Sequence, residues 1–436
     1  MEPLELGVLA GLTPADVECV LYDDRIEAIP YDEPTDLAAI TVEIHTARRA
    51  YEIAAEFRSR GIPVIMGGFH ATLAPQECIL HADSVYIGDA EALWAHAVED
   101  ARSGRLRRFY KAPFGVPQGG RVRPRRDLFQ GKGYLPIALV QFMRGCRYAC
   151  NFCAISAYFS RQQRARPVLD VIEEVEALDG RTVFFVDDNF LADPDAVKPF
   201  LRELIPLKIR WVSQASIEMA NDPELMDLVE ASGCIGTVTG FESLDPRNLR
   251  AMKKAPNLLG KTWDRYQRQI EVLRSHHLQT WAAFTLGHDH DTIESIRNVL
   301  DFAIENKFCL AGFNILLPYP GTPLYDRLHR EHRLLWNGQW WLHPAYRFNH
   351  AAFLPKNMSP DELTEVCWEC RAKWNSARSI VGRMLDVKTH LHSPVRLGFY
   401  LYYNQLYARE IKTKQGMRFG WFDDKVVPHD RILARG

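Results

Sequence analysis

Apolar and polar positions follow two rhythms along this chain, short apolar runs of strand type and longer stretches with apolar residues at helical spacing. Up to residue 112 the two alternate. Leu4–Leu12 is predicted as a helix, Val17–Tyr22 as a strand and Asp36–Val42 as a buried strand. Thr46–Arg60 follows as a helix ended by Gly61, and Ile62–Met66 as a strand leading into Gly67–Thr72. A helix from Pro75, a strand over Ser84–Ile87 and a helix over Ala90–Ser103 complete the segment. Such alternation implies a Rossmann-like parallel sheet with helices on both faces and ligands at the carboxyl ends of the strands.

Residues 113–135 are rich in Pro, Gly and Arg, and their basic run Arg121–Asp127 reads as a solvated connector. From 136 to 328 the strand–helix rhythm returns in six units. The predicted strands are Ile137–Met143, Thr182–Val186, Ile209–Ala215, Gly236–Phe241, Thr280–Leu286 and Gly312–Leu317. Helices are expected near Val168–Leu178, Pro194–Leu204, Pro223–Ala231, Gly260–Ser275 and Thr292–Glu305, and after Pro323. Parallel units repeated without an antiparallel hairpin predict a partial (β/α)6 barrel, its site at the strands' carboxyl ends. Residues 329–436 form a helical region, dense in aromatics over Trp336–His350 and Phe399–Tyr407. One helix is expected over Ser359–Met384, capped by Ser359 ahead of Pro360. The fold class is therefore α/β with a helical C-terminal region, which packs as structure or caps a large, partly apolar substrate.

Composition narrows the function. The chain has 436 residues, 47% apolar and 25% charged, as expected of a globular protein with two or three domains. A formal net charge of -2 argues against nucleic acid as the main partner. No apolar run reaches the roughly 18 residues of a membrane span, and no signal-peptide pattern opens the chain. Nine cysteines without a disulfide-like layout fit the reducing cytoplasm.

The chemistry centres on Cys146, Cys150 and Cys153, spaced four and then three residues apart on a loop after the first barrel strand. Three thiolates on one short loop can hold three corners of a cubane iron–sulfur cluster. A tetrahedral zinc site would want a fourth Cys or His nearby, and none follows closely. One iron of the cluster would then stay open to bind and activate a small molecule. Cys367 and Cys370 lie within a predicted helix without further cysteines around them, which reads as structural thiols rather than a second cluster.

The motif C-x-x-x-C-x-x-C after a strand, with Phe152 before its last cysteine, resembles the signature of radical S-adenosylmethionine (radical SAM) enzymes. That resemblance implies a 4Fe–4S cluster on Cys146, Cys150 and Cys153 and reductive cleavage of S-adenosylmethionine to a 5′-deoxyadenosyl radical. It implies an electron donor such as flavodoxin or ferredoxin. Gly67–Thr72 and Ile87–Glu91 resemble the cobalamin-binding domain of one branch, making cobalamin a further expected cofactor. Relatives of that branch place a central strand before the first helix, whereas this sequence opens on the helix. Cobalamin binding is therefore expected to be weakened. A D-x-H-x-x-G motif is absent, and His45 and His70 read as loop or cap residues rather than cobalt ligands.

Cofactor-binding candidates lie at the ends of predicted barrel strands: Asp188 and Asn189 after the second, Gln214 and Ser216 after the third, Glu242 after the fourth. Carboxylates and amides there can take the cofactor's ammonium or ribose hydroxyls. Phe152 is expected beside the adenine. Gly287–Thr292 contains His288, Asp289 and His290, but consecutive residues of an extended segment point apart and make a poor metal site. The segment Leu317–Pro323 ends the sixth strand in a rigid turn near the expected adenine. Three functions follow: modification of an unactivated carbon of a lipid, tetrapyrrole or secondary metabolite, with cobalamin-dependent methylation as one form; cobalamin-independent radical oxidation, cyclisation or rearrangement; or a non-catalytic iron–sulfur electron carrier or sensor.

Overall fold

The computed structural model describes residues 1–112, 122–178, 180, 182–258 and 262–417. Expectations that fall on the first part of the connector with Arg121, on Gly260 and on residues 418–436 lie outside the described residues. Two compact units are present, Met1–Pro136 with Trp341–Tyr346, and Ile137–Trp340 with Arg347–Met417.

In the first unit, β1 (Ala38–Thr41), β2 (Val64–Gly67), β3 (Ser84–Ile87) and β4 (Phe109–Lys111) form a parallel sheet in sequential order. Its core gathers Ile65, Tyr86, Trp94 and Tyr110, with the two tyrosine rings stacked at 6.2 Å. The helices Leu4–Leu12 and Ala47–Ser59 fall where the apolar pattern places them. Strand β4 was hidden because it is short and sits in a basic run; Tyr110 alone anchors it, buried, with its hydroxyl donating to Asp100 at 2.8 Å.

Val17–Tyr22 is not a strand, which corrects the reading from its apolar content. A strand needs a hydrogen-bonding neighbour, and among the described residues this segment has none. Side chains anchor it as a loop: Leu21 is buried, Tyr22 donates to Glu33 at 2.6 Å, and Asp23 accepts from Tyr134 at 2.9 Å. Val17–Tyr22 therefore adds no strand beside β1.

The second unit is built on β5 (Ile137–Val140), a small hairpin of β6 (Met143–Gly145) and β7 (Gln163–Ala165), and β8 (Thr182–Phe185), β9 (Trp211–Ala215), β10 (Cys234–Glu242), β11 (Gln279–Leu286) and β12 (Leu310–Ile315). Six strands pair in parallel in the order β12-β11-β10-β9-β8-β5, the open curved sheet read from the sequence. The antiparallel β6–β7 pair was not expected. It sits across the cysteine loop, where two three-residue segments carry no alternating pattern of their own. Behind the sheet, Phe142, Phe185, Phe190, Phe200 and Trp211 pack as one aromatic cluster. Helix starts are set by a recurring pair, a capping side chain followed by proline: Asp193–Pro194, Asp222–Pro223, Asp245–Pro246, Thr322–Pro323, Ser359–Pro360 and Ser393–Pro394.

The expected helix over Ser359–Met384 is two, Pro360–Trp374 and Ala377–Met384, because Ser376 starts a new cap by accepting from Ser379 N–H. Cys367 and Cys370 are buried with their thiols against the carbonyls of Phe313 and Ile296, as structural thiols. Arg383 ties this region to the barrel. Its buried guanidinium donates to the carbonyls of Phe308 and Cys309 at 3.0 Å and of Trp374 at 3.1 Å, and stacks 3.5 Å from the Trp374 ring centre. Among the described residues no carboxylate pairs with it, and burial lowers its pKa to about 10. Carbonyl dipoles and the indole face hold the charge instead. Arg383→Met should leave those buried acceptors unpaired and lower stability by about 3 kcal/mol, read from urea unfolding midpoints.

Candidate active site

The cysteine loop is held at both ends before any metal enters. At its start, the buried Asp187 accepts the backbone N–H groups of Phe142, at 3.3 Å, and Met143, and Asp188 accepts that of Gly145 at 2.8 Å. Gly145 lies at φ +81, and a Cβ there would stand 2.0 Å from the Gln162 carbonyl oxygen, so only glycine makes this turn. At the far end, Asn151 donates from its backbone to Met252 at 3.0 Å and from its amide to Ala251 at 2.8 Å. Its carbonyl accepts from Leu324 N–H at 2.9 Å. Burial pushes the thiols of Cys146 and Cys150 up to about 11. Without a metal they stay protonated at neutral pH, so cluster assembly is coupled to proton release.

Two expected cofactor ligands are committed to this loop. Asn189 donates to Ser216 Oγ at 2.6 Å and approaches Cys146 Sγ at 3.7 Å, while its Oδ1 accepts from Ser216 N–H at 3.0 Å. With Asp188 on Gly145, both residues brace the loop against the ends of β8 and β9. Gln214 is half-buried on β9. Phe152 lines a narrow cleft with Met252, His288, Leu324 and Arg327.

Glu242 stands out. A bulge between Gly240 and Glu242 ends β10, and Glu242 adopts φ +64, a left-handed conformation that costs energy for a residue with a Cβ. The carboxylate accepts from Lys254 Nζ at 2.9 Å. A Cβ on Gly240 would lie 2.4 Å from Glu242 Oε1 and 3.0 Å from Lys254 Nζ, so the bare glycine makes room for the pair. Asn257 and Tyr266 donate to the Phe241 carbonyl, both at 3.1 Å, and hold the bulge in place. Burial works against the Lys254 ammonium, but Glu242 and the neighbouring Cys150 and Cys153 outweigh it and raise its pKa. Lys254 escaped the sequence reading because a lysine in a charged run looks like solvated surface. Tyr148, in the cysteine loop, donates to Glu218 beyond β9, a second pairing with no signal in spacing.

His288, Asp289 and His290 diverge as expected. His288 shares a 2.8 Å hydrogen bond with Thr285 Oγ1, and burial lowers its pKa to about 4. Asp289 sits among Arg327, Arg333 at 2.9 Å and Lys356 at 3.2 Å. These cations hold its carboxyl well below the usual range against the cost of burial. Asp291 accepts from the backbone of Gly287 and His288 at 2.9 Å and from Asn248 at 2.7 Å.

Residues 140–303 match the family described as the Radical SAM superfamily, a span that runs from the end of β5 through the cysteine loop, Glu242 and Lys254 to beyond β11. That span is a radical SAM domain. This radical SAM enzyme is 28% identical over 394 residues to bacteriochlorophyllide d C-12(1)-methyltransferase of Chlorobaculum tepidum, covering 88% of this chain and 84% of that one. It is 24% identical over 399 residues to hopanoid C-2 methylase of Rhodopseudomonas palustris, covering 88% and 73%. Its fold matches the radical S-adenosylmethionine methyltransferase TsrM of Kitasatospora setae, solved with cobalamin and a 4Fe–4S cluster bound, with a TM-score of 0.56 at 18% identity. The match covers 69% of this chain and 66% of that one. As a radical SAM enzyme it takes a 4Fe–4S cluster and S-adenosylmethionine, which sets aside the electron-carrier reading.

The residues fit that cluster: three cysteines on one braced loop, with Lys254 near enough to Cys150 and Cys153 to offset thiolate charge. Replacing Cys146, Cys150 and Cys153 together by Ala should abolish bound iron and its absorption after anaerobic reconstitution. A second expectation concerns pH. The folded pKa of His288 lies below its ordinary 6.5, so unfolding takes up a proton between about pH 6.5 and about 4. The stability this residue contributes is full above that window and is lost as pH falls through it. In His288→Gln the drop in urea midpoint between about pH 7 and about pH 5 should be shallower than in the parent.

Proposed function

We propose that this protein is a cobalamin-dependent radical SAM methyltransferase that acts on an unactivated carbon of a tetrapyrrole or lipid. The observation that carries the radical chemistry is the Glu242–Lys254 pair beside the three-cysteine loop. The amino-acid end of S-adenosylmethionine is a zwitterion, an ammonium and a carboxylate on one carbon. Glu242 and Lys254 present the two complementary charges at one strand end. Bonded to each other, they still leave a carboxylate oxygen and further N–H donors for the cofactor. Cys146, Cys150 and Cys153 would hold three irons, and Phe152 would close the cleft beside the adenine. Bound together, cluster and S-adenosylmethionine supply the radical that breaks an inert C–H bond. Here the chain's part is to hold the sulfonium compound still, exclude water with the apolar strand ends, and brace the loop through Asp187, Asp188 and Asn189.

Methyl transfer and cobalamin are supported by the relatives, whose names specify methylation of a tetrapyrrole and of a hopanoid, and by TsrM, which was solved with cobalamin. The first unit offers a parallel sheet whose β2 and β3 run out into Gly67-Gly68 and Gly88, glycines at the carboxyl ends where such a sheet takes its ligand. His70 gives no sign of a cobalt ligand. Its Nε2 pairs with Glu77 at 2.9 Å, and Glu77 also accepts from Tyr51 at 2.6 Å and Trp341 at 3.0 Å. The ends of β2 and β3 would hold a corrinoid. The electron would come from a low-potential flavodoxin or ferredoxin, and the cluster suits a reducing cytoplasm.

The test is anaerobic turnover with S-adenosylmethionine, a reductant and a titration of hydroxocobalamin. Expected are 5′-deoxyadenosine and S-adenosylhomocysteine, the latter only with cobalamin, and saturable binding by absorbance. Formation of 5′-deoxyadenosine with no cobalamin binding would move the function to oxidation, cyclisation or rearrangement. Lys254→Met should keep the parental iron content and weaken S-adenosylmethionine roughly ten- to a hundredfold, the value of one charge-assisted hydrogen bond of about 1.5–3 kcal/mol. Unchanged affinity would remove Lys254 and its partner Glu242 from the cofactor site.

A further inference from the structure

Exposed large apolar side chains are scattered over much of the described surface, but seven of the thirteen lie between Val381 and Tyr402. Single exposed Leu or Val residues are ordinary; a cluster of this density is not. Val381 and Leu385, 55% and 58% exposed, share one face at the end of the helix Ala377–Met384. Val387, at 74%, and Leu391 protrude from the turn that follows, and Val395, Leu401 and Tyr402 continue along the helix Pro394–Lys414. Ile380 and Leu401 line a common groove, so the two helices open to the same side.

The charge of this stretch is as uneven as its hydrophobicity. The chain as a whole has 53 basic and 55 acidic residues, yet residues 377–414 hold seven Lys or Arg against two acids, with Arg383 buried and Lys388 paired to Glu271. Both acids are spent, Asp386 on Arg274 at 3.0 Å and Glu410 on Lys414. Arg378, Arg409 and Lys412 have no ion pair among the described residues, and Arg409 and Lys412 line the groove beside Leu401.

We propose that this face docks the enzyme on an anionic lipid bilayer. A second copy is a poor occupant, since a two-fold contact would set the basic face against itself. Protruding aliphatic tips ringed by free cations match the bilayer boundary, where apolar groups enter the acyl region and Arg and Lys reach the phosphates. The half-exposed ring of Tyr402 suits the same depth. The apolar residues from Val381 to Val395 lie at the end of the barrel away from the cysteine loop, and the helix Pro394–Lys414 runs from there along β12, Tyr407 donating to the Ala311 carbonyl at 3.2 Å. Arg396 donates to the carbonyls of Cys234 and Ile235 where β10 begins, and Arg383 to those of Phe308 and Cys309 just before β12. Docking this way holds the protein at a membrane while the carboxyl ends of the strands stay in water.

The full 436-residue protein is sedimented with vesicles of mixed phosphatidylglycerol and phosphatidylcholine, and with phosphatidylcholine alone. Binding to the anionic vesicles should be at least about tenfold tighter and should weaken as salt is raised. The double variants Leu385→Ser with Val387→Ser, and Arg409→Glu with Lys412→Glu, should each lose about tenfold in vesicle binding. Both should keep the parental iron content after reconstitution, which reports an intact fold. Equal binding to neutral vesicles, no vesicle binding, or variants that bind like the parent would overturn the proposal. A dimer in sedimentation velocity that the variants dissolve would reassign the face to a second copy and overturn it too.

Discussion

Everything at the barrel mouth depends on how the cysteine loop is tied to the strand ends, and the central tie is Asp187. This carboxylate is fully buried at the end of β8, where burial pushes its pKa up to about 8 against the pull of the Met143 and Phe142 N–H groups. A buried carboxyl is costly unless hydrogen-bonded, so those two donors are as necessary to Asp187 as it is to them. The mutual dependence couples β8 to the turn between β5 and β6. Asp188 and Asn189 extend the coupling to Gly145 and, through Ser216, to the end of β9.

From this the division of labour between neighbouring residues follows. Asp188 and Asn189 hold the cysteine loop, Asp188 through Gly145 N–H and Asn189, itself bonded to Ser216, through Cys146 Sγ. Glu242, two strands along, adopts a left-handed backbone and pairs with Lys254. Strain at that single residue is maintained by Asn257, Tyr266 and the bare Gly240, each of which would lose its contact if the bulge relaxed. The charged cluster of Asp289 with Arg327 and Arg333 does similar structural service near the cleft, tying the end of β11 to the helix Pro323–Arg330 and the turn after it.

The N-terminal unit shows a sheet read correctly where its strands are self-evident and misread where pairing decides. Ser84–Ile87 was legible to the residue, because a buried parallel strand is a short apolar run between turns. Val17–Tyr22 has comparable apolar content, but strand formation is a property of two segments, and composition reports only one.

Sequence alone determined the chemistry of the cysteine loop, the six parallel units and most of the helix starts. Each of these is local: thiol spacing, apolar periodicity, and a capping residue before proline are complete within a few positions. Tertiary structure alone decided that Lys254 meets Glu242 twelve positions away, that Tyr148 meets Glu218 and that Arg383 replaces a carboxylate with carbonyls. It also decided that Val381, Leu385, Val387, Leu391, Val395, Leu401 and Tyr402 stay exposed while Tyr400 between them is buried. Those outcomes depend on which surfaces the chain brings together, and a charged or apolar residue carries no record of its partner in its own neighbourhood.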